Sequence, residues 1–589
     1  MTDTVKTPCL KKVIKMLETR LVSSLAKIFP DEVTGSVLES ATALSNEPFS
    51  FQVAFKNADL KSNAVQIYVR IETDIGLPNI SEYKVGFVPV LRAAPQNADD
   101  YFERKQPGLY PDMLLERNVH SQIENDGFWY DKYCEQNENN QLNSIAEAYQ
   151  GLWFTVNEAG KSIKPGKYKI AVVFYSSWEN TEIGRSELTL EIKSARLTAE
   201  APLYTCWLHC DCLADIYKIE MFSDEHFRII ESFAERAAET GMNTVLLPAF
   251  TPPLDTPVGK ERKTAQLVGV TLKNGGYTFD FLLMERYIRI MLKCGIKYFE
   301  HSHLFTQWGA KAAPKIIANT ENGKKRIFGW ETDSKSEEYR LFLKAYLRAL
   351  MPFLDGLGVK NNTFFHISDE PQKKDIDYYE SAFKTVKPEI GDCKIMDALS
   401  NYEFFEGGCI DIPVVEVCSA DIDSFTQSCE DFWVYYTGEI MTNGYPNRNI
   451  TVTGARNRII GIQMYYTGAK GFLHWGYNYY YDVLSHGLFN PAENPGGYFQ
   501  VPGSSFIVYP GCGGEAIPSA RMRVFSEGLN DYRALCTLEK FIGREKACKL
   551  ITDFFGKVDY HFCPDNDSLL RFRERLNDIL ENRSQIHLE

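Results

Sequence analysis

The chain lacks any run of about 18 consecutive apolar residues, so the sequence predicts no transmembrane helix. It also lacks an excess of positive charge, since the net charge is −14 and the pI is about 5.4. An acidic surface repels phosphate backbones, which argues against general nucleic-acid binding. No internal repeat or low-complexity segment is present. The composition, 44% hydrophobic and 24% charged, excludes a disordered or fibrous chain.

The N-terminus lacks the pattern of a secretory signal peptide. Charged residues interrupt the apolar stretch before residue 30, and no small-residue cleavage site follows. The interrupting residues are Lys11, Lys12, Lys15, Glu18 and Arg20. We therefore expect a cytoplasmic protein without a signal peptide.

Paired CxxC motifs with zinc-finger spacing are absent among the 14 cysteines, which we expect to be mostly reduced and buried. Cys206, Cys210 and Cys212 lie close together, but C-x3-C-x-C matches no standard metal-ligand spacing. We expect no metal and no cofactor. Aromatic residues are plentiful, with 8 Trp, 32 Tyr and 37 Phe, and they serve either core packing or a surface that stacks flat ligands.

Residues 1–197 are predicted to form an N-terminal β-sandwich. Apolar and polar residues alternate over 49–55, 65–71 and 188–192, which indicates strands with one buried and one solvated face. This pattern is typical of antiparallel sheets packed face to face.

After residue 198, short apolar segments alternate with helical periods, which predicts a (β/α)8 TIM-like barrel over 198–535. The predicted strands are 203–207, 243–247, 297–300, 363–367, 394–399, 413–417, 432–436 and 471–475. Helices are predicted near 227–237, 279–294, 336–357, 375–386 and 455–466. Residues 536–589 are predicted to be a C-terminal helical extension packed on the barrel.

The active site of such a barrel lies at the carboxyl ends of its strands. There, the segment 364–371 runs from apolar residues into Asp369 and Glu370 and stops at Pro371. Adjacent carboxylates repel, and a pocket would raise the pKa of one, giving a neutral acid beside an ionised base. The alternative is a helix N-terminus capped by Asp369 with Glu370 in its first turn. Because neighbours on an ideal strand point to opposite faces, convergence requires a bulge or a terminal bend.

Retaining glycosidases hold their two carboxyls about 5 to 5.5 Å apart, usually on different strands. Adjacent carboxylates suit a different reaction, in which the 2-acetamido group of the sugar attacks C1 itself. One carboxylate then orients the amide, and its neighbour acts as general acid and base.

At this point the sequence resembles glycoside hydrolase family 123. The resemblance is carried by the sandwich followed by a barrel, by Ser368-Asp369-Glu370-Pro371, and by the segments 205–215 and 471–478. It covers the whole chain and implies an exo-β-N-acetylgalactosaminidase acting on glycosphingolipid-type glycans. It also implies a retaining, substrate-assisted mechanism through an oxazolinium intermediate. Asp369 would stabilise the acetamido group, and Glu370 would be the general acid/base.

Aromatic residues at the strand ends are further candidates for substrate binding. Trp308 and Trp475 would stack on the apolar face of a sugar ring, or else pack at the barrel rim. Tyr435 and Tyr436 point to opposite sides of the seventh strand, so at most one faces the pocket. Its hydroxyl would hold the acetamido oxygen for attack.

Polar residues at other strand ends complete the predicted substrate-binding set. His303, Gln307 and Asn478 are candidate ligands of sugar hydroxyls, with a satisfied structural group as the alternative for each. His209 and Asp211 would tether each other near the substrate.

Two other functions remain open on the sequence. A metal-dependent barrel hydrolase would use His301 and His303, an HxH pair at the end of the third strand. A non-catalytic carbohydrate-binding protein would use the sandwich. For the chain we expect a small-molecule or oligosaccharide glycan as partner, with no nucleic acid and no membrane span, and a homo-oligomer is left open.

Overall fold

The structure, a computed structural model, describes residues 17–58, 64–117, 142–145, 147–177, 180–399, 401–438, 440–497 and 501–586. The chain divides into two compact units, Met1–Gly86 with Leu115–Arg196, and Phe87–Leu114 with Leu197–Glu589. Within the described ranges no helix combines the length and apolarity that crossing a membrane requires. Most of the N-terminal segment on which the signal-peptide prediction rests lies outside the described residues.

Two five-stranded sheets form the N-terminal β-rich region of the chain. The strands of one sheet, in spatial order, are Leu17–Ser23, Phe49–Asn57, Gln150–Val156, Ile80–Val90 and Gly108–Arg117. Those of the other are Ser40–Leu44, Glu182–Lys193, Gly166–Ser176, Ala64–Thr73 and Leu142–Ile145. Most neighbours pair antiparallel as predicted, but Ser40–Leu44 pairs parallel with Glu182–Lys193.

The two sheets share one apolar core. Phe51 and Val53 of one sheet and Val172 and Phe174 of the other belong to the same buried cluster. The rings of Phe55 and Phe174 meet across it with centroids 5.1 Å apart. Burial of these apolar faces supplies the main driving force for the unit, and the predicted sandwich is confirmed.

Eight parallel strands close into a barrel in the second unit, in the order in which they follow along the chain. They are Leu203–Cys206, Thr244–Leu247, Tyr298–His301, Thr363–Phe365, Lys394–Leu399, Ile412–Glu416, Trp433–Tyr435 and Gly471–His474. Each lies within two residues of its predicted position. Apolar side chains such as Leu246, Met396, Val414 and Trp433 fill the interior. The predicted (β/α)8 architecture is confirmed.

Helices connect most of these strands. They are Cys210–Ile216, Asp224–Glu239, Leu282–Cys294, Glu337–Gly356, Ile376–Ile390, Glu403–Glu406, Ile422–Ser428, Gly454–Arg458 and Ile460–Thr467. Single 3-10 turns occur at Leu77–Asn79, Lys360–Asn362, Lys373–Asp375 and Val483–Ser485. The longest connecting helix begins after Ser336, whose side chain caps it by accepting from the N–H of Tyr339.

Two small sheets were not predicted. One contains, in spatial order, Gly276–Asp280, Gly269–Lys273, Ile316–Thr320 and Gly323–Phe328, and the other pairs Val508–Pro510 with Ala516–Pro518. The first sheet corrects the predicted helix 279–294, because Phe279 belongs to a hairpin strand and the helix begins at Leu282.

Three helices, Ala520–Ile542, Arg544–Phe555 and Asn566–Ile586, end the described chain. The predicted helical tail is thus confirmed, but its expected boundary at residue 535/536 falls inside the first of these helices. The segment Phe87–Leu114, expected within the sandwich domain, clusters with the second unit. There Asp112 accepts hydrogen bonds from Arg521 at 2.9 Å and from Tyr509 at 2.5 Å.

Candidate active site

A cavity of about 180 Å³ opens at the carboxyl ends of the barrel strands, where the active site of such a barrel is expected. The predicted site residues that line it are His209, Gln307, Trp308, Asp369, Glu370, Tyr435 and Trp475. Residues that sequence reasoning missed are Trp207, Leu254, Asp255, Ala398, Thr437, Leu473 and Tyr479. The cavity therefore combines two adjacent carboxyls with several aromatic rings.

A bend after the fourth strand directs Asp369 and Glu370 into the same cavity. Glu370 has a φ of 43°, in the left-handed region that residues other than glycine rarely adopt. This bend replaces the alternation of a regular strand, which would send neighbouring side chains to opposite faces. The structure therefore has the terminal bend that convergence of the two carboxyls requires.

Contacts from the loop after the third strand hold this bend. The N–H of Trp308 donates to the carbonyl of Asp369 at 2.7 Å. The hydroxyl of Ser368 donates to the carbonyl of Thr306 at 2.8 Å and accepts from the N–H of Ala310 at 3.1 Å. A strained backbone persists when its surroundings fix it in this way, and such strain is common at functional sites.

Asp397, in the fifth strand, fixes the same bend from below. Its carboxylate accepts from the N–H of Ile367 at 3.1 Å, from the N–H of Ser368 at 3.3 Å and from the hydroxyl of Tyr379 at 2.6 Å. Burial raises the pKa of Asp397, while hydrogen bonds from His366 and Tyr379 oppose that rise. Sequence reasoning missed this residue because nothing in its own strand indicates which neighbouring loop it binds.

The two carboxyls of the pair lie in different surroundings. Burial, and next the charge of Glu370, raise the pKa of Asp369 well above its usual range, which favours its neutral form. The hydroxyl of Tyr435 donates to Oε1 of Glu370 at 2.5 Å. The cavity thus presents two adjacent carboxyls, one of them buried and the other held by a tyrosine hydroxyl.

His366 lies beneath the pair, between two buried carboxylates. Its Nδ1 is 3.0 Å from Asp397 Oδ1, and its Nε2 is 2.9 Å from Glu300 Oε2. Burial lowers the pKa of His366, but the hydrogen bonds to Asp397 and Glu300 outweigh it and raise the pKa to about 9. The indole N–H of Trp207 also donates to Glu300, at 3.0 Å, which ties a ring of the cavity wall to this network.

His209 and Asp211 do not bind each other as expected, because Arg262 joins them. The guanidinium of Arg262 donates to both oxygens of Asp211 at 2.9 Å and to Nδ1 of His209 at 3.2 Å. The Nε2–H of His209 donates to the carbonyl of Trp475 at 2.8 Å. Burial, and next the charge of Arg262, lower the pKa of His209 to about 4, so this imidazole is neutral. Only His209 of the two lines the cavity; Asp211 lies behind it.

Gln307 and Asp255 form a wall from the loops after the third and second strands. The amide of Gln307 accepts from the N–H of Asp255 at 2.8 Å and donates to the carbonyl of Thr256 at 3.1 Å. The hydroxyl of Tyr479 donates to Oδ2 of Asp255 at 2.6 Å. The amide of Gln307 is thus engaged with the loop rather than presented to a ligand. Sequence reasoning could have found Asp255 by considering the residues that follow the second strand. It could have found Tyr479 by considering more of the residues that follow the eighth strand.

Both tryptophans predicted to stack on a sugar line the cavity. Trp308 is 40% exposed, and the ring of Trp475 meets that of Tyr479 edge to face at 5.2 Å. Of the two tyrosines on the seventh strand, Tyr435 lines the cavity and Tyr436 does not. Tyr436 is fully buried on the other side, and its hydroxyl has no hydrogen-bond partner among the described residues.

Asn478 and His303, expected to bind sugar hydroxyls, lie outside the cavity lining. Asn478 is fully buried, and its amide accepts from the N–H of His209 at 2.8 Å and donates to the carbonyl of His209 at 3.1 Å. His303 is buried against His366, with ring centroids 4.5 Å apart. Burial, and next the charge of His366, lower the pKa of His303 well below its usual range. These positions support structural roles for both residues.

The geometry does not favour the metal-dependent alternative. Both ring nitrogens of His301 are engaged, Nδ1 with the carbonyl of Ser302 and Nε2 with the hydroxyl of Tyr346, each at 2.7 Å. Among the described residues, the group with metal-ligand geometry is His303, His366 and Asp397, without His301. Within it, both nitrogens of His366 already face carboxylates, so this set does not fit a divalent ion.

Comparisons with known proteins bear on the family and the fold of the chain. The family model for the catalytic domain of glycoside hydrolase 123 matches residues 207–538, more than half of the chain. A family 123 glycoside hydrolase from Clostridium perfringens, studied for glycolipid glycan hydrolysis, superposes with a TM-score of 0.70 at 15% identity. That match covers 97% of this chain and 99% of the other. The comparison with curated proteins found no match.

Other solved glycosidases are similar at a coarser level. A family 39 enzyme from Bacteroides cellulosilyticus WH2 has a TM-score of 0.31 at 10% identity and covers 86% of this chain and 83% of its own. A β-glucuronidase from Bacteroides uniformis has a TM-score of 0.28 at 9% identity, over 79% of this chain and 47% of the other. Similarity at this level carries no argument about function.

The closed barrel, the two adjacent carboxyls at its mouth and the matched catalytic domain define a glycoside hydrolase. The chain belongs to glycoside hydrolase family 123.

Proposed function

We propose that this enzyme removes terminal β-linked N-acetylgalactosamine from glycans, including oligosaccharides of the glycosphingolipid type. The proposed mechanism is retaining and substrate-assisted, and it proceeds through an oxazolinium intermediate. The observation that supports it is the convergence of the consecutive residues Asp369 and Glu370 on one cavity through the left-handed bend at Glu370.

A conventional double displacement would need a carboxylate nucleophile across the cavity from the acid. The seventh strand and the residues after it contribute Tyr435 and Thr437 to the cavity and no carboxylate. The remaining carboxyl among the described residues that line the cavity, Asp255, is engaged with Tyr479. Tyr435 donates to Glu370 and so holds the acid/base in place. An acetamido group on the substrate supplies the nucleophile that this side of the cavity lacks.

In the first step, Glu370 protonates the glycosidic oxygen while the acetamido carbonyl oxygen attacks C1. The bond from C1 to the aglycone breaks, the bond from C1 to the carbonyl oxygen forms, and the cation is delocalised over the oxazolinium ring. Asp369 accepts the amide N–H as its positive charge grows. In the second step, Glu370 takes a proton from water, the water oxygen bonds to C1, and the ring reopens. Two displacements at C1 retain the configuration.

The surroundings of Asp369 bear on its role. Burial and the charge of Glu370 raise the pKa of Asp369, which favours its neutral form before substrate binds. When the amide N–H of the substrate approaches Asp369, it favours the ionised form of that carboxyl. The mechanism requires Glu370 to carry the proton that it delivers to the leaving group.

A panel of nitrophenyl glycosides tests the proposal. We expect rapid cleavage of β-GalNAc, slower cleavage of β-GlcNAc and little cleavage of plain β-galactose, because only acetamido sugars carry the nucleophile. An N-acetyl thiazoline, which imitates the cyclic intermediate, should inhibit competitively. Cleavage of plain galactoside as fast as the acetamido sugar would remove the participation of the substrate from the mechanism.

The same panel separates a second interpretation, a carbohydrate-binding protein without turnover. That interpretation predicts glycan binding that survives Glu370→Gln and no hydrolysis of any glycoside. The convergence of Asp369 and Glu370 on one cavity favours the enzyme instead.

A further inference from the structure

The cavity wall contains a third carboxyl, Asp255, to which the mechanism gives no role. Asp255 lies in the loop after the second strand and contacts Tyr479, which follows the eighth strand. Glu370 follows the fourth strand and contacts Tyr435 on the seventh. Because the eight strands follow one another around the barrel, the loop after the third strand, with Gln307 and Trp308, lies between Asp255 and the catalytic pair.

The protein holds Asp255 in one fixed position. Its φ is 44°, in the left-handed region, which asparagine and aspartate adopt more readily than most residues. Gln307 accepts from its N–H at 2.8 Å, and the hydroxyl of Ser485 donates to its carbonyl at 2.7 Å. Tyr479 donates to Oδ2 at 2.6 Å. Backbone and side chain are therefore both oriented before a ligand arrives.

The other carboxylate oxygen, Oδ1, has no hydrogen-bond partner among the described residues, and Asp255 lines the cavity. The nearby cation does not pair with it, because the guanidinium of Arg262 is engaged with Asp211 and His209. An ionised carboxylate is a strong acceptor that prefers a hydroxyl donor at short range. Asp255 thus presents a fixed hydrogen-bond acceptor to the cavity, which suits a ligand with several hydroxyl groups.

Asp255 and the catalytic pair line the same cavity. With C1 of a pyranose beside Glu370, the end of the ring away from C1 carries the hydroxyls on C3, C4 and C6, which face other parts of the cavity wall. We propose that Asp255 is a specificity-determining residue that accepts a hydrogen bond from a hydroxyl at this end of the terminal sugar. The inference rests on the proposed function for the placement of C1, and it deepens that function by naming the group that recognises the non-reducing end.

The test combines a variant with deoxy substrates. Asp255→Asn keeps the size of the side chain but weakens the acceptor, so we expect kcat/KM on the fully hydroxylated nitrophenyl substrate to fall about 10- to 100-fold. The 3-, 4- and 6-deoxy analogues are then assayed with both enzymes. On at least one analogue, wild type and variant should be equal, because the hydroxyl that Asp255 binds is missing. Asp355→Asn, at an exposed position of the helix Glu337–Gly356, is the matched control and should behave as wild type.

Two results would overturn the proposal. A variant as active as wild type on the parent substrate would show that Asp255 makes no productive contact. An equal loss on all three deoxy sugars would show that Asp255 acts on the chemistry or on folding rather than on one hydroxyl.

Calorimetric binding of free N-acetylgalactosamine separates this inference from the proposed function. If wild type hydrolyses no glycoside, the proposed function fails, but Asp255 can still be tested by comparing affinities for the monosaccharide and its deoxy analogues. We expect Asp255→Asn to weaken binding of the monosaccharide about as much as removal of one hydroxyl does. Unchanged affinity in the variant would contradict the inference independently of catalysis.

Discussion

Asp369 and Glu370 are neighbours in the chain, yet the mechanism gives them separable tasks. Glu370→Gln removes the proton donor, so we expect kcat/KM to fall about 10²- to 10⁴-fold on substrates with poor leaving groups and much less on activated ones. Asp369→Asn removes the partner of the acetamido N–H, so the loss should be large even with a good leaving group. A series of aryl glycosides of differing leaving-group pKa measures both effects.

Matched substitutions at exposed positions control for changes of charge alone. Asp355→Asn and Glu406→Gln alter carboxyls on helices outside the cavity and should keep normal turnover. If Asp369→Asn and Glu370→Gln both retained near-normal rates, the site assignment would be wrong.

His366 links the site to the pH dependence of stability. An unfolded histidine titrates near 6.5, whereas His366 in the folded chain titrates at about 9. Between these values the folded state binds the extra proton, so its stabilisation is complete below pH 6.5 and is lost as the pH rises through 9. We expect the free energy of unfolding to fall by about 3 kcal/mol over this window from this residue.

Urea unfolding of wild type and His366→Gln at pH 6.5 and pH 9 measures this contribution. The variant should be less stable than wild type at pH 6.5. Its free energy of unfolding should also change much less between pH 6.5 and pH 9 than that of wild type. A variant with the same pH dependence as wild type would show that His366 is not the titrating group.

The residues of the site differ in how far the sequence reveals them. Asp369, Glu370, Tyr435 and Trp475 could be placed at the cavity because they follow strands whose apolar pattern is clear. Asp397 could not, because its role depends on which loop its neighbouring strand presents. Arg262, which joins two predicted residues, lies in a long irregular connection without periodicity.

At the scale of elements, a glycine contact joins the barrel to the C-terminal helices. A Cβ on Gly461, in the helix Ile460–Thr467, would lie 1.8 Å from the carbonyl oxygen of Gly528 in the helix Ala520–Ile542. The two helices can approach this closely only because no side chain separates them. We expect Gly461→Ala to destabilise the protein by roughly 2 kcal/mol or more, measured as a lower midpoint of thermal unfolding.

Gly356→Ala provides the matched control. Gly356 ends another helix of the barrel, and a Cβ there would meet nothing within 4 Å. Because alanine favours helices more than glycine does, this variant should be unchanged or up to about 1 kcal/mol more stable. If both variants unfolded at the wild-type midpoint, the close contact between the two helices would not contribute to the stability of the protein.

The elements also show why some predictions failed. Barrel strands are short, rich in apolar residues and mostly buried, which makes their positions clear from the chain alone. The hairpin Gly269–Lys273 and Gly276–Asp280 is solvated on much of its surface, so its alternation is weak beside the helix that follows. The predicted helix 279–294 therefore began too early and included residues of a strand.

At the scale of the whole molecule, the order of sandwich, barrel and helical tail follows from the change of hydrophobic period along the chain. The assignment of Phe87–Leu114 to the second unit could not be predicted from this pattern. It depends on ion pairs such as that of Asp112 with Arg521, which join residues about four hundred positions apart. Local patterns predict elements, whereas such partners depend on the completed fold.

The central claim is that the acetamido oxygen of the substrate is the nucleophile. Its most direct test is the rate of cleavage of aryl glycosides whose N-acetyl group carries none, one, two or three fluorine atoms. Fluorine withdraws electron density from the carbonyl oxygen, so our account predicts that kcat/KM falls at each added fluorine. Rates that do not change across the series would contradict it.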